Sequence, residues 1–222
     1  IQMCINCMNG GFHQEQTIQE QKSLSEGLLN RDWNTFTIEH NGVKDDNRFT
    51  FHLSDDMPKH VKKFVRKTIR KIDKVTEFKI AGTKREDIAD VFVYDVDNYD
   101  NFGPDYAYAK GIAFLDPNDD YQLNATWLTS NYTDTWTNRK GKVRLGKITK
   151  HIIVHEMLHT LGLSHPFGEG NYDGVTNADS VMSYNFSDWS IKQQMRPADI
   201  EALQTFWGKP TETVQSDIVT HP

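Results

Sequence analysis

The stretch Val154 to His165, VHEMLHTLGLSH, constrains this chain more than any other part of it. His155 and His159 are four apart, so on a helix both imidazoles leave one face and can reach a single ion. Glu156 lies about 100° around the helix from the first of them, a position that suits proton transfer better than ligation. Val154, Leu158 and Leu161 occupy the other side, which predicts a helix lying under a sheet with its histidines turned toward a cleft. Gly162 can adopt the left-handed conformation that stops a helix and reverses the chain. That reversal would bring His165 back to the ion. Three neutral imidazoles leave a fourth position open, the pattern of catalytic rather than structural zinc. His151 continues the spacing of four, but a helix presenting 151, 155 and 159 spans about 12 Å by rise alone. His151 is therefore expected near the cleft and outside the ligand set.

Around this helix the hydrophobic pattern reads as α/β. RFTFHL alternates as a strand, and EFKIAG, ADVFVYDV, YAKGIAFL and NATWLTS read as further strands between polar turns. Residues 58–75 carry Val61, Val65, Ile69 and Ile72 at helical spacing, with Pro58 at the start. Their outer face is cationic. Eight lysines and arginines against Asp73 make this segment +7, so the remainder of a chain of net charge −6 sums to −13. A solvated face is the simple reading of that helix; docking of an acidic partner is the other. The acidic balance elsewhere argues against general nucleic-acid binding, and every apolar run is too short to span a bilayer. A helix is expected over 148–161, an irregular stretch over 163–196, and a short closing helix from Pro197 to Phe206 ended by Gly208. Residues 1–30, rich in glutamine, are expected to be an arm or pro-segment, 31–208 the functional domain, and 209–222 a loose tail.

HEMLHTLGLSHP resembles the long zinc signature of the metzincin endopeptidases. SVMSY, Ser180 to Tyr184, is similar to their methionine turn, with Met182 seventeen residues beyond His165. Pro166 after the third histidine, Ser-x-Met-Ser-Tyr at the turn and the closing DIEALQTFWG resemble the serralysin branch. The resemblance covers 148–208 closely and 33–147 only in architecture. It implies a metzincin-like domain: a twisted mixed sheet and two long helices in an N-terminal lobe, then a small irregular C-terminal lobe ending in a helix. It also implies a secreted zinc metalloendopeptidase with His155, His159 and His165 as zinc ligands and Glu156 as general base. Tyr184 would be an additional ligand at rest that swings to the reacting carbonyl. Protein or peptide substrates would lie extended along the edge strand 108–115, with side chains entering pockets formed partly by the loop 171–180. A monomer is expected.

The sequence departs from the serralysin pattern in showing no glycine- and aspartate-rich calcium repeats, which puts the usual export route and a structural calcium in doubt. Calcium could still engage the clusters Asp95, Asp97, Asp100 and Asp116, Asp119, Asp120, although neither follows an EF-hand spacing. With no basic-then-apolar leader in view, an export signal is expected to be absent or already removed. Cys4 and Cys7 are the only cysteines. A thiolate from either would fill the open zinc position and hold the enzyme latent; a thiol without that role is the alternative. Two further functions fit the same residues: a narrow-specificity toxin or processing protease, and a non-catalytic binding module that keeps the fold.

Overall fold

A computed structural model describes residues 23–29, 48–100, 106–116, 122–186 and 191–210. Five strands form the main sheet: β1 (Arg48–Leu53), β2 (Lys79–Thr83), β3 (Val91–Val96), β4 (Gly111–Asp116) and β5 (Gln122–Leu128). Their order is β2-β1-β3-β5-β4. β1 pairs parallel with β2 and β3, and β3 pairs parallel with β5. β4 alone runs antiparallel, on β5, and closes one edge of the sheet. The helices are α1 (Leu24–Gly27), α2 (Lys59–Asp73), α3 (Lys147–His159) and α4 (Pro197–Trp207), and a small hairpin, β6 (Trp136–Thr137) with β7 (Val143–Arg144), precedes α3. This mixed α/β architecture, with two long helices and an irregular C-terminal stretch ending in a helix, is the one the hydrophobic pattern predicts.

The reason is visible in the core. Phe49, Phe51 and Leu53 alternate along β1 and are buried, as are Val91 and Val93 of β3 and Leu123, Ala125 and Trp127 of β5. Val61, Val65, Ile69 and Ile72 form the apolar stripe of α2 and join the same cluster. From α3, buried on most of its surface, Ile153, Val154, Met157 and Leu158 enter it. α4 closes the core. Trp207 is fully buried, its ring lies 5.2 Å from Phe49 and 5.6 Å from Phe78, and its indole N–H donates to the Leu161 carbonyl at 2.9 Å. Among the described residues, no helix is long and apolar enough to cross a membrane.

One expectation is corrected at its margin. Residues 23–29, expected to be part of the arm, pack against the core. Ser23 and Glu26 cap α1 reciprocally, with Glu26 N donating to Ser23 Oγ and Ser23 N to Glu26 Oε2. Leu28 is fully buried and its carbonyl accepts from Ser164 N at 2.7 Å, while Leu29 bridges to Leu163. One buried leucine in a polar stretch leaves no periodic signal, so only the tertiary contact reveals it. Cys4 and Cys7, the remainder of the arm, and the tail beyond 210 lie outside the described residues.

Truncating the closing tryptophan tests how the core is locked. Trp207→Ala removes a fully buried ring and orphans the Leu161 carbonyl, and should cost about 3–5 kcal/mol. Urea unfolding read by circular dichroism checks it; a midpoint unchanged from the parent would refute this account.

Candidate metal centre

α3 presents the first two histidines as its spacing requires, and the turn after it supplies the third. Gly162 has φ +93°. Its N–H donates to the His159 carbonyl at 3.0 Å and Leu163 N donates to Leu158 O at 3.1 Å. This double bond pattern is the Schellman closure, which needs a left-handed residue at the glycine position. The chain then reverses and delivers His165 to the same point as His155 and His159.

The convergence is close. His155 Nε2 lies 3.1 Å from His159 Nε2 and 3.2 Å from His165 Nε2. On the far side of two of the rings the proton is placed by a carbonyl: His155 Nδ1 meets Val181 O at 3.0 Å and His159 Nδ1 meets Leu163 O at 2.7 Å. A carbonyl can only accept, so both Nδ1 atoms carry hydrogen and both Nε2 atoms present lone pairs. Two lone pairs at 3.1 Å have no proton to share, and a cation between them removes the conflict. Tetrahedral ligation at zinc–nitrogen lengths near 2.0–2.1 Å puts ligand nitrogens about 3.3 Å apart, close to the separations found. The donor set therefore fits a metal ion. Among the described residues these three are the only His, Cys, Asp or Glu side chains gathered closely enough to share one.

Electrostatics agrees with the geometry. Burial pushes His159 down to about 4 and His165 down to about 3, with the neighbouring His159 adding to the latter, and it holds His155 well below the ordinary range. All three rings are therefore neutral near pH 7, as ligation requires. Glu156 is buried and its carboxyl is pushed up to about 8 by desolvation. An adjacent cation acts in the opposite sense and favours the carboxylate.

Each remaining predicted residue has a definite place. Tyr184, partly exposed, stacks its ring 5.2 Å from His155 and sits 4.6 Å from His165. Met182 is fully buried in the core beside Val181, whose carbonyl orients His155. His151 stays outside the cluster, 5.6 Å from the His155 ring, with its Nδ1 3.0 Å from Lys192 O. In the 171–180 loop, Thr176 N and Oγ1 donate to Asp179, and Asn177 N donates to Asn185 O at 2.7 Å. Of the acidic clusters, Asp95 accepts from Tyr132 and Asp97 from Thr129. Asp119 and Asp120 lie outside the described residues.

Three residues outside the predicted ligands and base also hold the site. Asp199 on α4 is fully buried and accepts from Ser180 Oγ at 2.6 Å, Val181 N at 3.0 Å and Arg196 N at 2.6 Å. It thereby fixes the turn whose carbonyl aims His155; burial nonetheless raises its pKa. Gly111 at the start of β4 faces Glu156, and a Cβ there would fall 2.6 Å from Glu156 Cγ and Oε1. At Gly170 a Cβ would collide with the Tyr184 ring, while its carbonyl accepts from Tyr184 N at 2.7 Å. An acid two residues into a closing helix, or a glycine in a strand, is too common a feature to single out by reading along the chain.

No protein-family model matches the chain, and no curated protein matches it. Among solved structures, one of myroilysin superposes with a TM-score of 0.47 at 11% identity, covering 74% of this chain and 94% of that one. The functional reading therefore rests on the site itself.

Two outcomes follow from the centre's construction. Gly162→Ala forces a Cβ into the left-handed region, which costs about 1–2 kcal/mol, and displaces His165. A lowered Tm together with weaker zinc uptake in a competitive chelator titration is expected; intact affinity would show that the turn does not place the ligand. The second concerns pH. An imidazole with a depressed folded-state pKa takes up its proton more easily once unfolded. Stability is therefore complete above the ordinary value of 6.5 and is lost as pH falls below it, toward the depressed values of about 4 and about 3. Metal-stripped protein should lose Tm steadily between about pH 7 and about pH 5, and a flat profile there would contradict the burial of neutral rings.

Proposed function

We propose that the chain is a zinc-dependent endopeptidase in which Glu156 is the general base. The observation that carries this reading is the convergence of His155, His159 and His165, whose Nε2 atoms lie 3.1 and 3.2 Å apart, at the end of a helix that also buries Glu156 against the edge strand β4. His155, His159 and His165 would hold the zinc, which when bound would acidify a water toward a pKa of about 7 and offer a Lewis acid to the carbonyl oxygen. Glu156 takes a proton from the attacking water as its oxygen adds to the scissile carbonyl carbon. When the carbon–nitrogen bond breaks, Glu156 passes that proton to the departing amine and is regenerated. Burial raises the pKa of this carboxyl and a cation held by the neighbouring histidines would lower it, so the two influences on its proton oppose each other. Tyr184 is the proposed additional ligand at rest and a hydrogen-bond donor to the reacting oxygen; its ring already lies against two of the histidines.

The substrate's path is proposed along β4. Among the described residues that strand has only β5 as a neighbour in the sheet, so its other edge can accept an extended peptide as a further strand. Gly111 lets the start of this edge pass directly over Glu156, which would bring a peptide paired there to the base. A serralysin-type enzyme remains the finer reading, supported by Pro166, SVMSY and the closing helix.

Metal analysis and peptide-library cleavage test the reading together. One zinc per chain is expected. Glu156→Gln should retain the zinc and lose at least about 100-fold in kcat. Gly111→Ala should also retain it and lose roughly 10- to 100-fold, because the added methyl displaces the base. Equal and negligible cleavage by the parent and by Glu156→Gln would instead favour the binding-module alternative.

A further inference from the structure

The cationic face of α2 is not merely solvated; it forms one wall of a cleft separate from the metal centre. Lys59, Lys63, Lys67 and Lys71, four apart, line it from α2, and Lys142 and Arg144 line it from the β6–β7 hairpin. Its volume is about 650 Å³, and no carboxylate is among its lining residues. The lining also includes apolar groups, Phe64 and buried Leu145 among them. From Lys59 to Lys71 the helix rises about 18 Å, the length of five or six extended residues at about 3.3 Å each.

These charges are not neutralised within the described fold. The ion pairs found there join Lys62 to Asp55, Lys79 to Asp73 and Arg85 to Asp87, and none of the six wall cations takes part. Lysines repeated at four-residue spacing repel one another. Lys71 shows the effect: burial and the charge of Lys67 both lower its pKa, and its ammonium donates only to the neutral Gln194 side chain at 2.8 Å. In a chain that is acidic overall, this concentration of cations around an apolar floor is a cost that an anionic occupant would remove.

We infer that this cleft is a docking site for an extended acidic peptide segment that alternates carboxylates with apolar side chains. Charge complementarity selects the carboxylates, and the apolar floor selects a peptide over other polyanions. A sulfated sugar has no apolar group to place on Phe64 and Leu145. A concave cleft cannot lie flat on an anionic membrane. The occupant would rest against Lys150 and Val154 of α3, on the helix that presents the histidines, yet docking requires no hydrolysis and stands apart from the proposed activity.

The test uses the full chain carrying Glu156→Gln, so that the probe is not cut, and a fluorescein-labelled hexapeptide alternating Glu with Leu. Anisotropy should show saturable binding at about 50 mM salt that weakens at about 300 mM. The Gln/Leu counterpart should bind at least about tenfold more weakly. Lys63→Glu combined with Lys67→Glu should produce a loss of the same size, as should Arg144→Glu on the opposite wall. Arg144→Glu decides the matter if the helix variant fails to fold by circular dichroism. Stripping the metal should leave binding unchanged. The inference is overturned by any of the following: no saturable binding, equal affinity for the Gln/Leu peptide, undiminished binding by the folded variants, dependence on the metal, or tighter binding of a sulfated hexasaccharide or phosphatidylserine vesicles.

Discussion

The structure is organised around a repulsion. Three imidazole nitrogens converge on one spot, with separations of 3.1 and 3.2 Å along two sides, and those of His155 and His159 point lone pairs at it. Left alone, rings so arranged would rotate apart or share a proton. They are prevented from doing so by two carbonyls that claim the opposite nitrogens and by burial that disfavours protonation. The remainder of the C-terminal half can be understood as what keeps those carbonyls in place.

Each carbonyl is itself anchored. Leu163 O belongs to the turn that Gly162 makes possible, and that turn is tied to Leu28 and Leu29 on one side. Trp207 holds the neighbouring Leu161 carbonyl from the other side. Val181 O belongs to a turn that Asp199 grips through Ser180 Oγ and Val181 N. Helix α4 thus contacts the centre twice without offering it a ligand. Strain sits close by: Phe167, two residues beyond the third histidine, has φ +51° and is the only non-glycine residue with positive φ among those described. Its ring packs 4.4 Å from Tyr172 and fills the space that a side chain at position 27 would need.

Much of this was legible along the chain because periodicity and spacing are local. Strand β1 falls on the alternating RFTFHL, and α2 falls on the stripe of Val61, Val65, Ile69 and Ile72. The helix expected over 148–161 runs from Lys147 to His159 and closes through Gly162. The histidine set was equally accessible, since four residues of spacing and one turn are enough to bring three rings together. Leu28, Asp199, Gly111 and Gly170 were not legible. Their significance is a contact with residues far along the chain, and nothing in their immediate neighbours anticipates it.

The linear order of residues therefore settled which side chains can meet a metal, because helix geometry and a single left-handed glycine act over twelve residues without help from the rest of the protein. It also settled the α/β character, which follows from where apolar side chains recur. Only the folded chain decided which way the imidazole protons point, how deeply Glu156 is buried under β4, and that the lysines of α2 face Lys142 and Arg144 across a cleft. Those outcomes depend on burial and on carbonyls or charges contributed by distant segments, and both come into being when the layers pack.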